Sequence, residues 1–197
     1  MNDYSQIKKN LIERGYCVRI FETKEQAKEF LLSEIKNTTV GIGGSKTIES
    51  LDVFEELSKN NTVFWHWKQG GEVRKNAAFA SVYLTSVNGA AQTGELVNID
   101  GAGNRIAASV FGHEKVYFVL GRNKIEPTLE SAVCRARNTA APKNAARLSV
   151  NTPCAKAENG CMNCKSSDRI CRALCVYFEP MMGMKAEVII IDEDMGM

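Results

Sequence analysis

Histidine is scarce in this chain of 197 residues, and its two histidines give no support for imidazole catalysis. His66 lies between two tryptophans at the predicted end of a strand, and His113 follows Gly112 at a predicted turn. Both are predicted to be structural. The sequence also contains no G-x-S-x-G nucleophile elbow and no H-E-x-x-H motif, which argues against the hydrolases that depend on those motifs.

Long hydrophobic runs are missing as well. The longest apolar runs, Val116–Leu120 and Val188–Ile191, have the length of strands and are far too short to cross a bilayer. Residues 1–15 are polar and charged and lack the apolar core of a signal peptide. The sequence therefore predicts a cytoplasmic protein without a membrane span.

The chain has no strong excess of charge. Its formal net charge is +2, and no basic block with interleaved aromatic residues is present, so a nucleic-acid partner is not predicted. Hydrophobic residues make up 44% and charged residues 24%, as in ordinary globular proteins. This length and composition predict a single domain over residues 1–197.

Strands and helices are predicted to alternate along the chain. The predicted strands cover 16–21, 38–42, 62–67, 81–86, 96–99, 115–120 and 186–191, and the predicted helices cover 3–14, 24–36, 46–57, 74–79, 105–110 and 127–138. This alternation predicts an α/β fold with a mostly parallel sheet flanked by helices. Within it, residues 1–39 form an N-terminal helix–strand–helix part, and residues 151–176 form a cysteine-rich C-terminal insertion.

A glycine-rich loop, VGIGGSKT at residues 40–47, joins a predicted strand to a predicted helix. Glycines allow an anion to approach the backbone, and hydroxyl groups and a lysine can add donors. The spacing matches neither the Rossmann nor the Walker motif, so a tight turn capped by Ser45 is an equally open interpretation. Ligands of open α/β sheets bind at this end of the strands, which favours the site. The candidate ligand-binding residues here are Gly41, Gly43, Gly44, Ser45 and Thr47.

A second polar segment, residues 84–105, is rich in Gly, Asn, Thr and Ser and is a candidate wall of the same site. Glu95 is its candidate catalytic base or nucleophile. The alternative is structural, because Asn-Gly and Asp-Gly pairs form turns and Arg105 can simply pair with Asp100. The candidate ligand-binding residues in this segment are Asn88, Asp100, Asn104 and Arg105.

Cysteines are concentrated near the C-terminus, where five of the seven lie between Cys154 and Cys175. Thiolates spaced C-x6-C-x2-C-x6-C can converge on a tetrahedral zinc ion or an iron–sulfur cluster. The alternative is a set of reduced, half-buried thiols. Cys175 is a spare ligand or a core residue, and the isolated Cys17 and Cys134 are predicted core residues. The candidate metal ligands are Cys154, Cys161, Cys164 and Cys171.

Four pieces of the chain, in order, resemble the LUD domain family of lactate utilisation proteins. They are GIGGSKT at 41–47, LTSVNGAAQTGELVNIDGAGNRIAA at 84–108, GRNKI at 121–125 and NTPCAKAENGCMNCKSSDRIC at 151–171. The resemblance implies a fold similar to ribose-5-phosphate isomerases and CoA-transferases. It also implies a role in oxidising L-lactate to pyruvate beside iron–sulfur partner subunits, and it places the ligand pocket at the glycine loop, away from the cysteines. Ser81 departs from the Asp of many relatives.

Three functions are therefore compatible with the sequence. The first is a small LUD-type subunit or accessory of L-lactate oxidation that binds a small anionic ligand and a metal or iron–sulfur cluster. The second is a stand-alone enzyme on a sugar phosphate or acyl-CoA ester, with Glu95 as base or nucleophile. The third is a non-catalytic metal or redox sensor. Whether the chain forms a homodimer stays open.

Overall fold

The computed structural model describes residues 2–156 and 160–197. These residues form ten strands: β1 (Cys17–Phe21), β2 (Thr39–Ile42), β3 (Thr62–Trp65), β4 (Val82–Thr85), β5 (Gly89–Ala91), β6 (Leu96–Asp100), β7 (Lys115–Gly121), β8 (Ile125–Glu126), β9 (Ala173–Tyr177) and β10 (Lys185–Ile191). They also form ten α-helices: α1 (Ser5–Glu13), α2 (Lys24–Glu34), α3 (Lys46–Leu51), α4 (Phe54–Ser58), α5 (His66–Gln69), α6 (Val73–Ala78), α7 (Asn104–Val110), α8 (Leu129–Arg135), α9 (Ala141–Arg147) and α10 (Pro153–Lys156). Residues 122–124 form a 3-10 turn, and residues 136–140 form a π-helical turn between α8 and α9.

The strands belong to two sheets. The larger has six strands in the order β1-β10-β7-β4-β2-β3, and every neighbouring pair in it is parallel. The smaller has the order β8-β5-β6-β9, with β5 and β9 both antiparallel to β6. The predicted α/β class, with a mostly parallel sheet flanked by helices, is confirmed.

Two neighbouring interior strands of the larger sheet, β7 and β10, are buried on both faces. In β10, Val188 and Ile190 pack into one hydrophobic cluster, whereas Ile189 and Ile191 pack into the other. Successive side chains of a strand point to opposite faces, so a strand with helices on both sides must be apolar throughout. This requirement explains why β7 and β10 are the most hydrophobic runs of the chain.

Short-range signals set several helix ends. Thr23 and Gln26 form the predicted capping box at the start of α2. Ser45 caps α3 by accepting a hydrogen bond from the Ile48 N–H. The helix predicted over 46–57 is in fact two helices, because Asp52 adopts a left-handed conformation with φ of 49° and ends α3.

The smaller sheet was not foreseen in the sequence. After the cysteine-rich segment the chain returns as β9 and pairs with β6, so that Ala173 lies opposite Asp100 and Cys175 opposite Asn98. Cys175 packs against the hydrophobic cluster that contains Val188 and Ile190, which favours its core interpretation. Residues 157–159 of the predicted 151–176 insertion lie outside the described residues, and the predicted domain boundaries stay a prediction.

Two further expectations can be compared with the structure. Cys17 and Cys134 are exposed, so the prediction that they are core residues was wrong. Cys17 lies on β1, an edge strand of the larger sheet, and Cys134 lies on the surface of α8, so both thiols are outside the packed faces. Over the described part of the chain, no helix has the length and apolar character needed to cross a membrane.

We expect Gly41→Ala to destabilise the fold strongly, because a Cβ at this position in β2 would lie 2.2 Å from the carbonyl oxygen of Ala77. Overpacking of this kind costs about 1–3 kcal/mol. Gly71→Ala is the matched control, since a Cβ there meets no atom within 4 Å and should change stability by less than about 0.5 kcal/mol. Urea denaturation measures both, and equal stabilities of the two variants would contradict the described packing around β2.

Candidate functional site

A cavity of about 480 Å³ lies where the strands β2, β4 and β6 end. Its walls come from the glycine loop, from residues 86–88 after β4, from residues 99–105 around the end of β6, and from α9. Residues 167–170 and Arg172 of the cysteine-rich segment complete it. The carboxyl ends of the parallel strands β2 and β4 meet at one edge of the larger sheet, and the end of β6 from the smaller sheet lies beside them, so loops that are distant in sequence converge here.

Most of the predicted ligand-binding residues are brought together by this cavity. The lining includes Gly44, Ser45, Thr47, Asn88, Asp100, Asn104 and Arg105. Gly41 and Gly43 lie behind the lining, where they permit close packing: a Cβ on Gly43 would lie 2.8 Å from the Tyr83 hydroxyl oxygen. The sequence therefore located the cavity, although the ligand roles of individual residues stay predictions.

The lining carries a large excess of positive charge. Its acidic side chains are Asp100 and Asp168. Its basic side chains are Lys46, Arg74, Arg105, Lys124, Arg147, Arg169 and Arg172. A concave surface with charges of one sign focuses the electrostatic potential, so this cavity attracts anions.

Asp100 and Arg105 are committed to the local structure. The Asp100 carboxylate accepts the backbone N–H groups of Gly101 at 2.8 Å, Arg105 at 2.8 Å and Ile106 at 3.3 Å. The Arg105 guanidinium lies 3.5 Å from the same carboxylate and donates to the Ile99 carbonyl oxygen at 2.6 Å. The pairing that the sequence left open as an alternative is therefore present, and it holds the start of α7 against the end of β6.

Lys124 is the main residue that sequence analysis missed. Its side chain is 4% exposed, and its Nζ donates to Thr47 Oγ1 at 2.7 Å, to Ser86 Oγ at 2.9 Å and to the Val87 carbonyl oxygen at 3.1 Å. Burial, followed by the charges of Arg135 and Arg105, lowers the pKa of Lys124 to about 7. Lys124 lies in the GRNKI piece at 121–125 that carries part of the family resemblance, but the local pattern there predicts no role for it.

Trp67 forms part of the rim. The Lys46 ammonium lies 6.0 Å, and the Arg147 guanidinium 5.1 Å, from the centre of its ring system, within the range of cation–π attraction. The neighbouring His66 begins α5 and also lines the cavity, and burial together with nearby arginine charges lowers its pKa. The indole thus holds two of the cavity's cations close to its mouth.

Glu95 lies outside the cavity lining. Its carboxylate pairs with the Arg14 guanidinium and accepts a hydrogen bond from the Thr93 hydroxyl, so both carboxylate oxygens are engaged. It precedes β6, whereas the cavity lies at the opposite end of that strand. The structure therefore does not bring Glu95 to the predicted ligand-binding residues.

The cysteine-rich segment borders the cavity instead of standing apart from it. Arg169 donates to the carbonyl oxygens of Cys164 and Cys171, both at 2.8 Å, and so ties together the two ends of the loop whose middle lines the cavity. None of the described cysteines is in the cavity lining, so the predicted separation of the thiols from the glycine loop stays a prediction, although the segment itself borders the cavity. The pairing of β9 with β6 brings the segment to the cavity.

The thiols themselves are partly exposed and not gathered. Cys154 lies on α10 near the Thr152 hydroxyl, and Cys161 accepts hydrogen bonds from Arg137 and from the Asn163 N–H. Within residues 2–156 and 160–197, no three His, Cys, Asp or Glu side chains lie close enough to hold a metal ion. The donor chemistry suits a soft metal, but the described arrangement does not fit one.

These features define an α/β protein with a strongly cationic cavity at the carboxyl ends of its strands. The chain belongs to the LUD domain family, whose model matches residues 4–191. Its fold is similar to the crystal structure of a DUF162 family protein from Deinococcus radiodurans, with a TM-score of 0.55 and 14% identity over 97% of this chain and 99% of that one. At that identity the likeness concerns the fold alone. Comparison with curated proteins gave no match.

We expect the burial of Lys124 to be visible as a pH-dependent stability. Its pKa is about 7 in the folded chain, against an ordinary value of 10.5, so the unfolded chain binds the extra proton between these values. The free energy of unfolding should therefore rise as the pH increases from 7 towards 10. Lys124→Met should remove most of this rise in denaturant titrations, whereas Lys46→Met should keep it. A wild-type curve that falls over this range with the same slope in both variants would contradict the assignment.

Proposed function

We propose that this chain is a subunit or accessory of L-lactate oxidation to pyruvate, and that it binds a small organic anion in the cationic cavity. Membership of the LUD domain family supports the lactate context. One observation carries the ligand proposal: the lining holds seven Lys or Arg side chains and two Asp side chains. Such an excess destabilises the protein through self-repulsion unless an anion offsets it.

The cations differ in how strongly they are engaged by the protein. Arg105 is paired with Asp100, and Arg169 donates to backbone carbonyls of its own loop. Arg147 contacts only neutral groups among its described partners, the Asn144 amide oxygen and the Trp67 ring. Its charge is therefore left for a ligand, and it lies at the cavity mouth where an incoming anion first meets the protein.

A stand-alone enzyme that uses Glu95 is less well supported. A general base or nucleophile has to reach the reacting atoms within hydrogen-bonding distance. Glu95 is buried in an ion pair with Arg14, away from the cavity. If the chain catalyses a reaction on a phosphate ester or acyl-CoA ester, the groups that do so belong to the cavity lining and not to Glu95.

The four cysteines of the C-x6-C-x2-C-x6-C pattern are proposed as ligands of zinc or of an iron–sulfur cluster, which would supply a structural cross-link or an electron-transfer group. Their number and thiolate chemistry support the proposal, but their described placement does not gather them. Metal binding would therefore require the four thiols to move closer together. Electron transfer to iron–sulfur partner subunits and a metal- or redox-sensing role both depend on this step.

Arg147→Ala tests the cavity. Titration calorimetry with L-lactate, pyruvate and inorganic phosphate should find at least one ligand, and the variant should weaken its binding several-fold, as expected for loss of one partly screened charge. Lys143→Ala is the matched control, because Lys143 is an exposed cation on the same helix, α9, outside the cavity lining. Equal losses in both variants, or no binding by the wild type, would overturn the proposal.

Metal analysis tests the cysteine segment. Protein purified without oxygen should contain either zinc or iron with acid-labile sulfide, and Cys161→Ser should remove it because a soft metal loses one of its thiolates. Cys17→Ser should retain the metal, since this exposed cysteine lies far from the others in the sequence. A wild-type protein with neither zinc nor iron would refute the metal proposal while leaving the anion cavity untouched.

A further inference from the structure

The floor of the cavity contains a buried ammonium group whose described partners are all neutral oxygens. Lys124 Nζ donates to the Thr47 hydroxyl, the Ser86 hydroxyl and the Val87 carbonyl. Removing a charge from water is costly unless an opposite charge compensates it. The charges that act on it most are those of Arg135 and Arg105, which repel it. Since no carboxylate is among the hydrogen-bonding partners of Lys124 in the described residues, the site suits a negative group that a ligand brings.

The Thr47 hydroxyl beside Lys124 is the one whose donor proton is available to a ligand. Thr47 Oγ1 accepts from Lys124 Nζ at 2.7 Å and from Ser86 Oγ at 3.3 Å. The single Ser86 proton is shared between Thr47 Oγ1 and the Val87 carbonyl oxygen at 3.4 Å, whereas the described contacts of Thr47 Oγ1 are ones in which it accepts, so its own proton remains for another acceptor. Thr47 is 1% exposed and lines the cavity. A ligand oxygen is the acceptor that this arrangement suits.

A short segment lies across this floor. Residues 193–195 are fixed beside Lys124 by the Arg122 N–H to the Glu193 carbonyl at 3.0 Å, by Arg122 Nε to Asp194 Oδ1 at 2.8 Å and by the Met195 N–H to Asn123 Oδ1 at 3.0 Å. Met195 is also buried in a hydrophobic cluster, so Gly196 and Met197 are the part of the segment that lines the cavity. At Gly196, with φ of 69°, a Cβ would lie 2.4 Å from Thr47 Oγ1 and 3.2 Å from Lys124 Nζ. Gly196 thus covers the two donors, and only a glycine allows so close an approach.

We propose that Lys124, Thr47 and Ser86 form a subsite for a tetrahedral oxyanion, the phosphate group of a phosphate monoester, and that residues 196–197 are a cover that moves aside when the anion binds. This proposal rests on the proposed anion-binding function and deepens it by naming the ligand class. A phosphate group has several acceptor oxygens and carries close to two negative charges, which matches a buried cation next to a hydroxyl with an available proton.

The size of the cavity agrees with a phosphorylated ligand. At about 30 Å³ for each water-sized group, 480 Å³ holds roughly sixteen such groups. Lactate and pyruvate have only a handful of non-hydrogen atoms and a single negative charge. A phosphate monoester of a small metabolite fills more of the volume, and its charge offsets more of the lining.

The charges around Lys124 predict how binding depends on pH. Arg105 of α7 and Arg135 of α8 face it, and the Glu126 carboxylate lies 3.8 Å from Arg135 Nε. Below a pH of about 7 Lys124 carries its proton in the free protein, and above it the ammonium is progressively lost. The bound anion favours the protonated form, so affinity should be highest at low pH and fall as the pH rises through 7.

Sulfate is the probe for the first experiment, because it is tetrahedral and does not titrate near neutral pH. Calorimetric titrations of the full chain between pH 6 and 9 should show an affinity that falls by about tenfold or more. Lys124→Met should weaken sulfate binding roughly tenfold to hundredfold at pH 6 and abolish the pH dependence, since a hydrogen-bonded charge is removed. Lys46→Met removes a more exposed cation of the same cavity, paired with Glu49, and should weaken binding only several-fold while keeping the pH profile.

Gly196→Ala provides a test with the opposite sign. Its Cβ would clash with Thr47 Oγ1, push the cover away and remove the cost of displacing it, so sulfate and phosphate should bind several-fold more tightly. If the substitutions merely damaged the site, Gly196→Ala would weaken binding as Lys124→Met does. Thr47→Val should weaken binding and Thr47→Ser should restore it, which keeps the proposal testable if Lys124→Met does not fold.

Three results would distinguish the phosphate subsite from the anion-binding function proposed for the whole cavity. Loss of anion binding in Arg147→Ala, together with unchanged binding in Lys124→Met and a flat pH profile, would overturn the subsite while the cationic cavity stands. Tighter binding of pyruvate than of phosphate or sulfate would overturn the phosphate assignment. Weaker binding in Gly196→Ala would show that residues 196–197 are part of the site and not its cover.

Discussion

Burial of β7 and β10 on both faces is the constraint from which the rest of this structure follows. Their side chains fill two hydrophobic clusters, one on each side of the sheet, and these clusters require helices above and below. Polar groups are costly in either cluster, so they are displaced to the ends of the strands. The cavity therefore lies at the carboxyl edge, where the loops after β2, β4 and β6 meet and backbone donors are available.

The electrostatics of that edge depend on how few of its cations are neutralised by the protein. The Asp100 carboxylate is engaged by backbone N–H groups at the start of α7 and by the Arg105 guanidinium, whereas Lys124 Nζ donates to neutral oxygens. The floor of the cavity therefore carries a positive charge that the described residues compensate only in part. Functional sites commonly carry such unfavourable charge, because it is offset when the ligand binds. Gly196 can lie close to this floor because it has no Cβ, and it has no side-chain charge that could offset Lys124.

The cysteine-rich segment is linked to the cavity by sheet pairing. Since β9 lies against β6, the loop between Cys164 and Cys171 is placed at the cavity wall, and the Arg172 N–H donates to the Asp100 carbonyl at 2.9 Å. Gly101 approaches this loop so closely that a Cβ would lie 2.6 Å from the Ile170 carbonyl oxygen. These contacts join the loop between Cys164 and Cys171 to the end of β6 at the cavity wall.

Local patterns in the sequence determined much of this protein: the alternation of strands and helices, the capping of α2 by Thr23, the buried run of β7 and the family carried by the ordered motifs. The glycine loop also marked the cavity. Only the tertiary structure decided that α3 ends at Asp52, that β9 joins β6, that Glu95 is paired with Arg14, and that Lys124 is buried. The physical reason is that capping and periodicity act over a few residues, whereas sheet pairing and desolvation depend on groups far apart in the chain. Lys124 contacts Thr47 from 77 positions away, and no local pattern records that contact.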